Sequence, residues 1–183
     1  MARDDESSTP SQSADGDDAL NRRLAELYET LHGIARTTLG SRKGARLLDP
    51  TELVHECYIK LRRTQLSADM PRTDLIALAA TAIRSILVDH SRQIASLKRG
   101  GGMNRVTLHA EQLAQEQPVD VLALDSALER LALLDPRMAR VVELRFFGGL
   151  TIEETAAALG VRGSAVESDW SMARAWLHRE LRA

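Results

Sequence analysis

Apolar residues along this chain recur at intervals of three and four in separate blocks and almost nowhere alternate, the pattern of amphipathic helices. Leu20, Leu24, Leu27, Leu31 and Ile34 predict a first helix from Ala19 to about Leu39. A second opens in LLDPTELVHECYIKL, residues 47–61. Asp49 suits its cap, Pro50 the first helical position and Glu52 the acid of a capping box, ahead of Leu53, Val54, Tyr58 and Leu61 as its apolar face. The polar break SADMPRTD precedes a longer helix, about Leu75 to Leu97, which runs into Gly100, Gly101 and Gly102. Residues 100–120 lack strong periodicity and contain Gln, Glu and Pro118, so they predict a linker.

The pattern resumes near Val121, and Asp135 is placed to cap a helix from Pro136 to about Phe147. The sharpest local signal follows in TIEETAAALGVRGSAVESDWSMARAWL, residues 151–177. Thr151 and Glu154 fit one capping box, Gly160 allows a left-handed turn, and Ser164 and Glu167 fit a second box. Ala156, Gly160 and Val166 then stand where a helix-turn-helix needs a small residue, a turn residue and an apolar anchor. Val166, Trp170, Ala173 and Leu177 predict the buried stripe of the second helix. An ordinary helical hairpin shares this spacing.

Composition supports an all-α chain: 44% of residues are hydrophobic but only 3% aromatic. Its 183 residues suit one large domain or two small ones, and the two helical blocks favour two small helical domains joined by a flexible linker, about residues 19–98 and 125–183 on either side of 99–124. The single cysteine, Cys57, has no internal disulfide partner. No apolar run reaches a membrane span and no signal peptide is evident, which predicts a cytoplasmic protein without membrane contact.

The net charge of −2 is unevenly spread, because residues 1–20 hold six acids against Arg3. Residues 1–18 offer little to bury and read as a disordered acidic tail. Between Arg84 and Arg105 five basic residues, Arg84, Arg92, Lys98, Arg99 and Arg105, face one acid, Asp89, which predicts a phosphate-contacting surface. A solvated helix face would look the same. Other chemistry finds no support: His55 and Cys57 lack a second ligand pair for zinc, and the glycine triplet lacks the lysine and hydroxyl of a phosphate-binding loop. No nucleophile, base and orienting acid form a set, so neither enzyme activity, cofactor nor metal is expected.

The blocks ELVHECYIKLRR, LAATAIRSILVDHSRQ, KRGGG and LDPRMARVVELRFFGGLTIEETAAALGV, in this order, resemble a sigma factor of the extracytoplasmic-function type. The resemblance covers about residues 20–181 and implies a non-enzymatic subunit that binds core RNA polymerase and directs it to promoter DNA. It implies region 2 over residues 19–98 and region 4 over 125–183. Carried over by position, Asp49, Glu52, Leu53 and Glu56 face polymerase, and Arg84, Asp89, His90, Arg92, Lys98 and Arg99 face the minus-ten element together with the loop Ser67 to Asp74. Arg162, Ser164, Ala165, Ser168 and Arg174 face the minus-thirty-five element.

Three departures from the family pattern matter. Leu75 and Ile76 stand where bulky aromatics are common, which weakens the case for base stacking there. Residues 164–176 carry Glu167 and Asp169 against Arg174, an acidic balance for a recognition helix. Finally, the acidic run expected at the start of the second helix is thinned to Asp49, Glu52 and Glu56, with Pro50 and Thr51 inside it. Phosphorylation of Thr51 by a Ser/Thr kinase would add about −1.5 to −2 charges at a helix amino terminus, where the dipole favours an anion. The resemblance extends to a kinase-linked branch of the family with such a substitution. An anti-sigma protein is a different controlling partner, a first-turn threonine is otherwise commonly silent, and two other functions fit the pattern: a helix-turn-helix regulator acting without polymerase, and a signalling adaptor with a sigma-like fold.

Overall fold

A computed structural model describes residues 11–39, 48–64, 66, 69–97, 105–107 and 118–182. Among them are seven helices: α1 (Ser11–Leu39), α2 (Pro50–Arg62), α3 (Arg72–Leu97), α4 (Val121–Leu134), α5 (Pro136–Phe146), α6 (Ile152–Leu159) and α7 (Gly163–Glu180). Among the described residues the fold is all-α apart from two three-residue strands, β1 (Arg105–Thr107) and β2 (Pro118–Asp120). The strands pair antiparallel, Val106 opposite Val119, within the segment read as a flexible linker, and β1 lies against α1.

Local capping explains most helix starts. At α2 the Asp49 carboxylate accepts from the Thr51 amide at 2.9 Å, and the Glu52 carboxylate accepts from the Asp49 amide at 3.4 Å. Asp120 and Asp135 cap α4 and α5 through their carboxylates alone, accepting from the Leu122 and Met138 amides. Asp120 therefore starts the second block a few residues before the predicted boundary at 125. The long third helix also begins earlier than its apolar pattern suggests, at Arg72, because the Pro71 carbonyl accepts from the Leu75 amide at 3.1 Å and so starts the ladder.

The amino-terminal reading needs correction. Residues 11–18 were predicted to be disordered, yet they extend α1 to Ser11. Extending an existing helix adds a hydrogen bond per residue without a new nucleation cost. Residues 1–10 of the tail lie outside the described residues.

Helices α1, α2 and α3 pack together, and α4 to α7 form a second group. Leu27, Leu31 and Ile34 of α1 meet Leu53, Val54, Cys57 and Leu61 of α2 and Ile76, Ala80, Ile83 and Leu87 of α3 in the buried core. In the second group Leu124, Leu128 and Leu131 of α4 share the core with Val142 and Leu144 of α5 and with Val166, Ala173 and Leu177 of α7. The groups also touch one another, with α3 packing on α4, α5 and α6.

Cys57 reports on the first group. It is buried between α2 and α3, its Sγ 3.9 Å from the Ala79 carbonyl oxygen. Burial pushes its thiol up to about 12, against a small opposing pull from Lys60. The unfolded chain ionises this thiol near 9.0, so between about pH 9 and 12 the unfolded state binds fewer protons and stability falls as pH rises. At pH 8 iodoacetamide is expected to label Cys57 only as fast as the protein opens. Mass spectrometry showing native labelling at the rate of a denatured control would contradict this packing.

Candidate nucleic-acid and polymerase interfaces

The start of α2 presents Asp49, Thr51 and Glu52 to solvent. Asp49 and Glu52 are joined in the capping box, so each spends part of its carboxylate on the helix start. Leu53, assigned to the polymerase face by resemblance, is instead fully buried: the helical turn from Thr51 rotates it into the core. Glu56 is turned to α3, where its two oxygens lie 2.9 and 3.0 Å from His90 Nε2. Beside Thr51 and His55 runs a groove of about 360 Å³ between α1 and α2, walled by Ala25, Tyr28, Leu31, Val54 and Tyr58. Tyr58 is fixed there by its hydroxyl donating to Asn21 at 2.7 Å.

On α3 the minus-ten set separates into distinct environments. Asp89 is exposed, whereas His90 is half-buried and engaged with Glu56. The pair ties the helix assigned to polymerase to the helix assigned to DNA, which withdraws Glu56 and His90 from simple solvent-facing roles. Leu75 and Ile76 are core residues and offer no stacking face. Arg84 is largely enclosed: its Nε donates to Asp125 Oδ1 at 2.9 Å, its Nη2 lies 2.8 Å from the same oxygen, and its Nη1 is 4.0 Å from Glu143. Arg92 stays mostly exposed with Nη2 3.6 Å from Asp125 Oδ2. Lys98, Arg99, Ser67 and Ala68 lie outside the described residues.

The carboxyl-terminal pair α6 and α7 forms a helix-turn-helix. Thr151 caps α6 reciprocally with Glu154, and Gly160 ends it at φ 64°, the left-handed conformation that glycine adopts without strain. The Val161 amide then donates to the Ala156 carbonyl, closing the turn. The second predicted capping box is absent: α7 starts at Gly163 after Arg162, which makes no side-chain cap bond. With Gly163 already helical, Ser164 lies inside the first turn, two residues past the cap position. Val166, Trp170, Ala173 and Leu177 are buried as the periodicity predicts.

Arg162, Ser164, Glu167 and Ser168 are exposed, with Ala165 and Arg174 partly so. Asp169 is not on this face. It is 2% exposed and grips Arg137 of α5, with Nε–Oδ2 at 2.7 Å and Nη2–Oδ1 at 3.1 Å. That hydrogen bond, then the carboxylate charge, raises the Arg137 pKa. The acidic balance read for this helix therefore overstates the charge it shows to solvent, since one of its two acids is spent inward. The Arg145 guanidinium lies 4.9 Å from the Trp170 ring centroid and braces the same helix from α5.

Asp125, Arg137, Arg140 and Glu143 escaped sequence reasoning. A signal existed for two of them: Asp125 and Glu143 lie among Leu124, Leu128, Val142 and Leu144, and an acid on an apolar stripe seldom lacks a buried partner. Their partners are remote in sequence and could not be named.

An all-α chain ending in a helix-turn-helix is a common design for promoter-directed proteins. A family model described as ECF sigma factor matches residues 7–183, and the chain belongs to that family. Sigma factors of this family are non-enzymatic transcription initiation factors. Among the described residues no helix is long and apolar enough to cross a membrane. The chain is 28% identical over 161 residues to a tRNA modification GTPase MnmE of Leptothrix cholodnii, covering 86% of this chain but 34% of that protein. It thus spans about a third of the length of that curated relative. It is also similar to the sigma factor RpoE of Bartonella quintana, solved in complex with the anti-sigma factor NepR: 20% identity, 90% of this chain and 97% of that one, TM-score 0.42.

Proposed function

We propose that this sigma factor engages core RNA polymerase through the start of α2, opens promoters with α3 through residues that include Arg84 and Arg92, and reads the upstream element with α7, as the two-region division implies. Phosphorylation of Thr51 by a Ser/Thr kinase switches the first of these contacts on. The observation that carries the switch is the state of the α2 carboxylates. Asp49 caps the helix, Glu52 completes the box and Glu56 holds His90, so all three are engaged within the chain, while Thr51 is exposed among them. A phosphate there sits on the amide-rich end of α2 and supplies the anion that a basic partner requires.

The test is direct binding of core RNA polymerase by the unmodified chain, by the chain phosphorylated only at Thr51, and by Thr51→Ala. Tight binding confined to the phosphorylated form is the expected result. An increase of roughly tenfold or more corresponds to about 1.4 kcal/mol, well within reach of one or two charge-assisted hydrogen bonds. Equal tight binding by all three removes the switch and keeps the polymerase contact. Binding by none favours an adaptor or a free-standing DNA-binding regulator.

A further inference from the structure

The two helical groups meet on the side of α3 that the proposed function gives to DNA. Along that seam, Asp125 of α4 is 8% exposed and its two carboxylate oxygens are divided between Arg84 and Arg92. Arg84 Nη2 also approaches the Asp125 carbonyl at 3.4 Å. Glu143 of α5 has a carboxylate oxygen 4.0 Å from Arg84 Nη1 and is paired with Arg140. Arg140 itself crosses the seam, Nη1 donating to Thr81 Oγ1 at 2.8 Å and Nη2 to the Ala77 carbonyl at 3.4 Å.

We propose that Asp125 and Glu143 form a built-in competitor for promoter DNA, holding Arg84 and Arg92 where phosphate oxygens would otherwise lie, so that the free chain is closed and α3 binds DNA only after α4 and α5 move away. The inference rests on the reading of Arg84 and Arg92 as DNA contacts and adds the group that occupies them. A carboxylate and a phosphate diester present similar paired oxygens to the guanidinium fork, so either satisfies Arg84. The two states are therefore exclusive but chemically equivalent for this side chain.

Packing beside the clasp supports a defined closed state. The turn after α5 reaches the first group through two glycines: a Cβ on Gly148 would stand 3.1 Å from Ala80 Cβ and 2.4 Å from the Leu144 carbonyl oxygen. One on Gly149 would stand 3.1 Å from Ile34 Cγ1. Backbone and core side chains thus come close enough to bring Asp125 and Glu143 into register with Arg84. Yet the polar edge is open to water, Arg92 being 63% exposed at its side chain, so salt screens part of the clasp and opening leaves no stranded buried charge on that residue. A chain whose competent state is a minor fraction shows an apparent affinity reduced by that fraction.

The test uses the full chain with Asp125→Asn and Glu143→Gln together, compared with wild type by small-angle scattering and by binding of a labelled single-stranded oligonucleotide of mixed sequence at fixed low salt. The expected result is a larger radius of gyration and at least roughly fivefold tighter oligonucleotide binding, the lower end of ordinary coupling between sites. Adding Arg84→Ala and Arg92→Ala should abolish the gain. The charge swap Arg84→Glu with Asp125→Arg guards against a variant that merely misfolds: it should restore the compact radius without restoring binding.

Unchanged radius and affinity in the neutralised variant, with native helical circular dichroism, overturn the proposal. An expanded variant with unchanged affinity also overturns it. In that case promoter opening by polymerase carrying Arg84→Ala tells the two failures apart. A defective holoenzyme leaves the DNA role of Arg84 standing and removes only the competition, whereas a fully active one removes both.

Discussion

Leu53→Ala is expected to destabilise the chain by about 2–5 kcal/mol, the range for truncating a buried leucine. It should leave the polymerase affinity of the folded fraction unchanged. Leu53 is fully buried in the core where α2 meets α1 and α3. Alanine removes its terminal carbons, and neighbours held by two other helices close the space only partly. Because small domains are stable by only about 5–15 kcal/mol, a loss of this size is a large part of the total.

The measurement is the urea midpoint of full-length wild-type and variant chains, followed by titration of phosphorylated protein with core polymerase well below the variant's midpoint. A drop in affinity with little loss of stability would restore Leu53 to the polymerase face, where the resemblance put it. The two properties separate here because a direct contact is exposed by definition and this side chain is not.

Gly149→Val is the second large effect, through backbone strain and overpacking together. Gly149 has φ 62°, in the left-handed region that costs an L-residue roughly 1–2 kcal/mol. A Cβ there would also meet the buried Ile34 Cγ1 at 3.1 Å, and overpacking of a core contact adds about 1–3 kcal/mol. The combined expectation is a loss of roughly 2–5 kcal/mol. Since Ile34 belongs to α1, part of the strain is relieved by separating the two helical groups, so the radius of gyration should rise as the urea midpoint falls. Gly33→Ala is the matched control: a Cβ there meets nothing within 4 Å, and alanine is favoured over glycine inside a helix. It should be neutral or slightly stabilising. A Gly149 variant that behaves like this control would mean that the turn after α5 does not pack on α1.

The helices, their caps and the helix-turn-helix were legible because they depend on near neighbours. Asp49 with Glu52, Thr151 with Glu154, Asp135 ahead of Pro136 and the turn at Gly160 each join residues at most five positions apart. The reading failed where that locality was misapplied. Ser164 and Glu167 have capping-box spacing, but Gly163 already belongs to the helix and Arg162 takes the cap position. Residues 11–18 have the composition of a tail, yet α1 propagates through them.

Charge was the least legible property. In the sequence Asp169 counts against DNA binding and Arg84 counts for it. In the fold Asp169 is turned inward onto Arg137, 32 residues away, and Arg84 is held by Asp125, 41 residues away. The sequence by itself determined an all-α chain with a carboxyl-terminal helix-turn-helix, because periodicity and capping are local and a family pattern summarises them. Only the tertiary structure decided which arginines and carboxylates face solvent, because burying a charge demands a specific partner and the partners are brought together by helix packing rather than by spacing along the chain.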